Sequence, residues 1–428
     1  MTTPPQPGRG DLPVIATVTA QPKDDPFYSY SDPLDSIAPG TVLKTRSFRY
    51  HLFGFPTLLE TTQLLYRSTS QTGKPTVNVT SIIKPPIQFD KTKVISYQSA
   101  YDSLNRNDQP SYAISGGLRL GGVVPNVEAA VFGPFVAEGY TVIVPDTEGQ
   151  RADFAAGPEY GMNTLDSIRA AFNSSSIPKN SRVAMLGYSG GAIATGWAAE
   201  LAPTYASDVD ARMIGAAIGG VLVDPAHNLH YVEGTGFWAG VMAMALVGIA
   251  RAFEIETELA RYLSPNGARI FHEMQSASIV NVLGQYPGLK WQDLVSHKYP
   301  TPESLPLFVE CANKLIMGTG TPTIPMFIGQ GANGALEGTP GDKAGIGAGD
   351  GVMIAGDVRT LARDYCARGT KVHYEQYDAL SHIWSVPIWL LDSIAWIKQR
   401  FAGVPAPDNC SSIPKGNPLT PIPTPKSA

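Results

Sequence analysis

Polar and apolar positions alternate through residues 61–66 and 77–82, the period of two that half-buried antiparallel strands require. The stretch 41–84 therefore reads as antiparallel strands. Beyond it the pattern changes. Short apolar runs at 93–98, 140–145, 182–186, 213–223, 324–329 and 371–377 each end in loop-forming residues. Between them lie segments of helical period at 127–137, 161–172, 191–201, 357–367 and 386–401. Strands that alternate with helices predict an α/β domain with a mostly parallel sheet and helices on both faces.

One interval breaks the rhythm. From Asp224 to Pro322 helical patterns recur without a convincing strand. Insertions of this kind sit over the carboxyl ends of a parallel sheet, where ligands bind. Residues 225–321 are accordingly read as a helical cap, 41–224 and 322–410 as the core, 1–40 as an extended arm and 411–428 as a poorly ordered Pro-rich tail. Within the cap, residues 237–250 are apolar on every helical face, so the helix is buried all round or lines a pocket. Phe237, Trp238, Val241 and Met242 are its candidates for an acyl pocket or lid. Fourteen helical residues span roughly 21 Å, short of the ~30 Å hydrocarbon core of a bilayer, so this is no membrane span.

Composition narrows the function classes. The 428 residues are 43% hydrophobic and 16% charged, with a net charge of −5. No basic cluster is present to neutralise phosphates, which argues against nucleic acid as a partner. The three cysteines, Cys311, Cys366 and Cys410, form no Cys-x-x-Cys motif, so neither a zinc site nor a redox motif is indicated. Cys311 reads as a buried free thiol. Residues 1–13 lack the basic and apolar regions of a secretory leader, so the chain reads as an intracellular protein or as the mature form of a secreted one.

The strongest chemical signal is Gly187-Tyr188-Ser189-Gly190-Gly191, placed between the apolar run ending at Leu186 and a small-residue helix. That is the layout of a nucleophile elbow, a serine on a sharp strand-to-helix turn. The helix dipole and the Gly190 N–H then face an oxygen that gains negative charge. A serine nucleophile needs an imidazole base, and the base needs an orienting acid. On this kind of elbow the chain order is Ser, acid, His. Of the seven histidines, His51 precedes the serine, His227, His230, His272 and His297 fall in the cap, and His373 sits inside a strand. His382, in a loop between the last strand and the last helix, remains. For the acid, Asp350 in Gly349-Asp350-Gly351 is preferred over Asp342 and Asp357, with Glu337 behind them. The second oxyanion donor should come from the loop Ser99-Ala100-Tyr101-Asp102-Ser103.

These residues carry a resemblance. Gly187-Tyr188-Ser189-Gly190-Gly191-Ala192, Ser96-Tyr97-Gln98, Asp146-Thr147-Glu148-Gly149 and Gly161-Met162 make the chain, from Asp25 to Cys410, resemble the secretory lipase family. The resemblance implies an α/β-hydrolase fold with a helical lid and a secreted enzyme; a monomer is expected. It would hydrolyse acylglycerols at a lipid–water interface, with no cofactor and no metal. It assigns Ser189 as nucleophile, Asp350 as acid and His382 as base, with backbone N–H groups of Asp102 and Gly190 as oxyanion donors. It pairs Cys366 with Cys410. The chain departs from the family in its short tail after Cys410: the family's C-terminal flap over the entrance is expected to be absent, which leaves a short-chain or polyester-degrading esterase as the rival reading. A peptidase or amidase, or a binding protein on the same fold, is compatible with the residues alone.

Overall fold

The structure is a computed structural model describing residues 20–425. Its strands are β1 (Val42–Leu52), β2 (Phe55–Thr69), β3 (Pro75–Lys84), β4 (Lys93–Gln98), β5 (Thr141–Pro145), β6 (Arg182–Tyr188), β7 (Met213–Gly219), β8 (Met326–Gly331) and β9 (Val372–Tyr377). They form one sheet in the order β1-β2-β3-β5-β4-β6-β7-β8-β9. β1, β2, β3 and β5 pair antiparallel; from β5 through β9 the pairing is parallel. The parallel strands β5 and β8 are buried along their whole length, which explains the consecutive apolar residues Val142–Val144 and Met326–Ile328.

Five helices matter for the site: α1 (Gly157–Asn173), α2 (Gly190–Tyr205), α3 (Ala239–Ala252), α4 (Ala355–Ala367) and α5 (His382–Phe401). α1, α2 and α4 cover one face of the sheet over Val94, Met185 and Ile328. α5 and the helix Ala129–Ala137 cover the other, over Ile95, Leu186 and Phe327, with Trp389 and Trp396 as the largest contributors from α5. Burying each such side chain contributes about 1.5–3 kcal/mol.

The strand order reverses at β4, which lies between β5 and β6. A crevice opens at the carboxyl end of a sheet at such a point, because the flanking connections leave in opposite directions. Gln98 at the end of β4 pairs with Gly187 near the end of β6. The loop after β4 and the turn after β6 therefore emerge side by side.

Several element boundaries differ from the pattern reading. β7 ends at Gly219 rather than at 223, because Gly220 turns the chain at φ +55° and the Asp224 carboxylate caps the next helix through the Ala226 and His227 N–H groups. The helix read at 127–137 is broken at Glu128. α5 begins at His382, four residues earlier than its period suggests, so His382 is the first residue of a helix and not part of a loop. The early start is a tertiary effect: the two leading N–H groups, orphaned in any helix, are taken by the Asp350 carbonyl (2.7 Å) and the Glu337 carboxylate (2.9 Å).

Residues 225–321, between β7 and β8, carry helices and no strand longer than an isolated bridge. Their core is not closed on itself, since Phe154, Val352 and Met353 from the sheet domain's loops belong to it. The described part of the arm also packs inward, with Tyr28 buried and bonded to Ser111; residues 1–19 lie outside the described chain. The tail is a correction. Residues 411–425 lie against the protein: Asn417 donates to Asp357 and to the Ile346 carbonyl, Thr360 and Arg363 donate to tail carbonyls, and Asn313 of the cap holds Ile422 from both sides. Pro-rich segments have few N–H groups to offer, and here the protein's side chains supply the donors. A disulfide joins Cys366 at the end of α4 to Cys410. Asn409 bonds to the backbone of Val372 and Tyr374 and covers part of the open β9 edge.

Candidate functional site

Ser189 stands between the last residue of β6 and the first of α2, with φ 54° and ψ −121°. A non-glycine residue holds such a backbone only under strain of about 1–3 kcal/mol. The neighbouring glycines make room for it. A Cβ on Gly187 would lie 2.2 Å from the Gly191 carbonyl oxygen, and one on Gly191 would lie 2.1 Å from that of Gln98. The turn thus presses α2 against both β6 and the end of β4; a side chain at Gly187 would push α2 from β6, and one at Gly191 would push it from β4.

The structure brings Ser189, His382 and Asp350 together. Ser189 Oγ lies 2.8 Å from His382 Nε2, and His382 Nδ1 lies 2.8 Å from Asp350 Oδ2. A carboxylate only accepts, so Nδ1 carries the hydrogen and Nε2 is left to accept from the serine. Asp350 is fully buried; its Oδ1 accepts from the Val352 and Met353 N–H groups and its Oδ2 from Gln330 as well. Burial pushes the His382 imidazole toward its neutral form, but the Asp350 carboxylate, helped by Glu337 and Asp102, outweighs this and raises its pKa above 6.5. Tyr188 steadies the ring's backbone, its hydroxyl donating to the His382 carbonyl at 2.6 Å. Asp342 is exposed, and Asp357 is engaged with His227 at 3.0 Å.

Asp102 and Gly190 flank the serine from the β4 loop and the α2 terminus. Asp102 has φ +34°, and a Cβ on Gly190 would lie 1.8 Å from Asp102 Oδ1, so the two residues are in direct apposition. Gly190 opens α2, and its N–H has no partner within the helix. Burial pushes the Asp102 carboxyl up to about 7, against the pull of His382. Two buried carboxyls that the motif reading did not assign fix this loop. Glu128 accepts from Ser99 Oγ and, at 2.8 Å, from the Ala100 N–H; Glu148 accepts from the Ser103 N–H at 3.1 Å. Burial raises Glu128 to about 7 and pushes Glu148 well above the usual carboxylate value, with the nearby Asp102 adding to the rise. In the sequence Glu128 shows only as the single charge of an otherwise uncharged stretch, and Glu148 only as part of Asp146-Thr147-Glu148-Gly149.

Above Ser189 opens an apolar cleft of about 750 Å³, its mouth included, lined by Trp238, Val241, Met242, Leu246, Ile249 and Val352 among others. The lining from α3 explains that helix's apolar character: one face is buried in the cap, while Val241, Ala245 and Ile249 face the cleft. Phe237 does not line it. Its ring packs edge-on against Trp238 at 5.2 Å, and its backbone carbonyl accepts from the Gly284 N–H two residues before α3 begins. Behind Leu246, Ile249 and Phe308 a second apolar space reaches Trp291 and the buried Cys311. Among the described residues no helix is long and apolar enough to cross a membrane.

Comparison with known proteins agrees in family and fold. Residues 116–409 match the secretory lipase family. Lipase 1 of Candida albicans is 30% identical over 405 residues, 91% of this chain and 82% of that protein. A probable inactive lipase of Mycobacterium tuberculosis is 28% identical over 394 residues, 91% of this chain and 84% of that protein. The X-ray structure of Candida antarctica lipase A in its closed state superposes with a TM-score of 0.79 at 25% identity, covering 95% of this chain and 92% of that one. With its mostly parallel sheet, flanking helices and these relatives, the chain has the α/β-hydrolase fold and belongs to the secretory lipase family.

Proposed function

We propose that the protein is a lipase that cleaves acylglycerol esters through an acyl-enzyme on Ser189. One observation carries the reading: a serine, imidazole and carboxylate in hydrogen-bonded series, 2.8 Å at each step, on the floor of an apolar cleft. Ser189 Oγ attacks the ester carbonyl while His382 Nε2 takes its proton, and Asp350 stabilises the imidazolium. The N–H groups of Gly190 and Asp102 receive the oxyanion. The C–O bond breaks as His382 returns the proton to the leaving alkoxide. Water, deprotonated by the same imidazole, then attacks the acyl-enzyme and releases the fatty acid. The acyl chain lies along Val241, Leu246 and Ile249, where each buried methylene contributes about 0.8 kcal/mol. In this reading residues 225–321 act as the lid over that cleft. Secretion belongs to the same reading, supported by the family and by a disulfide, which persists in oxidising surroundings.

The test is hydrolysis of p-nitrophenyl esters from acetate to palmitate by wild type and Ser189→Ala. Wild type should turn over the longer esters, and the variant should fall about 10⁶-fold, equivalent to about 8 kcal/mol. A wild type inert on every ester, or a variant as active as wild type, sinks the proposal; turnover of amides alone would point to a peptidase.

A further inference from the structure

Glu337, a candidate acid by its place in the chain, has different partners in the structure. It ends a single 3-10 turn, Gly334–Glu337, in the long connection between β8 and Asp350. Its Oε2 accepts the indole N–H of Trp238 at 2.9 Å, and its Oε1 accepts the backbone N–H of Ile383 at 2.9 Å. Ile383 adjoins His382 in the first turn of α5. Trp238 immediately precedes α3, lines the cleft, and stacks edge-on against the His382 imidazole, ring centres 5.4 Å apart and planes at 85°. Gly351, the residue after Asp350, sits at φ +130°, and a Cβ there would lie 2.9 Å from both Glu337 Oε2 and Trp238 Nε1. The backbone beside the acid is thus bare where this bond crosses it.

We infer that Glu337 is a positioning residue that clasps the cap to the base, holding the Trp238 indole against the His382 imidazole and the first turn of α5 in place with one carboxylate. The inference rests on the ester-hydrolase reading of the site. The chemistry requires a carboxylate. Two N–H donors converge, one on each oxygen, and an amide would present an acceptor to one and its own N–H to the other. The clasp also couples binding to the base. Trp238 forms part of the wall that an acyl chain touches, so displacement of the indole is felt at the imidazole and at the carboxylate together. The charged and titratable groups that face His382 are Asp350, Asp102 and Glu337, with the Tyr188 phenol against the ring. Of these, Glu337 is the group whose side chain bonds a cap residue; Asp102 meets the cap through its backbone carbonyl, which accepts from the Ile279 N–H at 2.8 Å.

The experiment compares the full chain with Glu337→Gln and Trp238→Phe in two readouts. The first is NMR titration of the His382 imidazole without substrate. The second is kcat and KM for p-nitrophenyl butyrate and palmitate. Glu337→Gln should lower the imidazole midpoint by about half a unit or more, since a nearby negative charge is lost, and lower kcat about tenfold. Trp238→Phe keeps the ring and the charge and loses only the N–H. It should leave the midpoint within a few tenths of wild type and raise KM for the palmitate ester about fivefold, one lost hydrogen bond. An unmoved midpoint in Glu337→Gln, or a Trp238→Phe KM equal to wild type, overturns the clasp; should the glutamine variant fail to fold, the Trp238→Phe result decides. An enzyme inert on esters whose midpoint still shifts keeps the clasp and removes the lipase reading. An active enzyme whose midpoint does not move does the reverse.

Discussion

At the scale of single residues, the site is built from close approaches that leave no room for substitution. Gly191 is the clearest case. A methyl group there would have to occupy space 2.1 Å from the Gln98 carbonyl oxygen, which is backbone and cannot rotate away. Gly191→Ala should therefore open the gap between α2 and β4, shift Ser189 relative to Asp102, and reduce ester hydrolysis by about 10²-fold or more. Titration of the serine with a fluorophosphonate would check it, and labelling at the wild-type rate would contradict the packing described. Ser189 itself and its glycines were legible in the sequence because an elbow is local: five consecutive residues, a strand before and a helix after. Asp350 was not legible to the same degree. Asp342 and Asp357 have similar neighbours in the chain, and what separates them is which one burial and the Val352, Met353 and Gln330 donors converge upon.

At the scale of elements, the segments that hold α4 and the tail behave as one unit. The Cys366–Cys410 bridge closes a loop with a sequence separation of 44 residues, and the chain beyond it is laced to α4 and to the cap helix Pro306–Asn313. Removing the bridge releases the covalent end of this strap. For a loop of this length the chain-entropy effect is about 4 kcal/mol at most, and about 2–4 kcal/mol is typical. Cys366→Ser/Cys410→Ser should lose that much in urea unfolding, read as a lower midpoint; a midpoint equal to wild type would show the noncovalent contacts to be sufficient. The parallel strands and the long helices that cover the sheet were readable from periodicity alone. The early start of α5 was not, since its first turn is satisfied by Asp350 and Glu337 rather than by a local cap. The tail misled for a related reason: its composition describes what it can do for itself, not what Asn313, Thr360 and Arg363 do for it.

At the scale of the whole molecule, the number of buried acids is a property in itself. Burial raises Glu128, Asp146 and Asp153 to about 7 and Glu159 to about 8, while Asp357 first among several partners raises His227, and Glu233 and Glu303 raise His230 to about 9. An acid whose pKa is higher folded than unfolded binds a proton in the native state that the unfolded chain has released. Its contribution to stability falls as pH rises from about 4 to its folded pKa. A histidine with a raised pKa contributes fully below about 6.5 and loses that contribution as pH climbs to its folded value. Both act in the same sense. The melting temperature should fall by several degrees, about 5 °C or more, between pH 5 and pH 9, and scanning calorimetry over that range would check it. A melting temperature that rises toward pH 9 would mean these carboxyls are ionised in the fold.

What depends on neighbours along the chain is legible in the linear order: the alternation that separates β1–β3 from the parallel strands, the elbow at Ser189, and, through chain order, the choice of His382 among seven histidines. Each follows from periodicity, backbone conformation or order, which a linear string carries. Tertiary structure alone decided what depends on convergence. It turned Phe237 away from the cleft, set Glu128 and Glu148 behind the loop that carries Asp102, drew the tail onto the cap, and brought Glu337 to Trp238 across 99 residues. A carboxylate's partner is whichever donor folding delivers to it. No spacing rule encodes that, because the donors arrive from β4, the cap and α5 only once the sheet has ordered them.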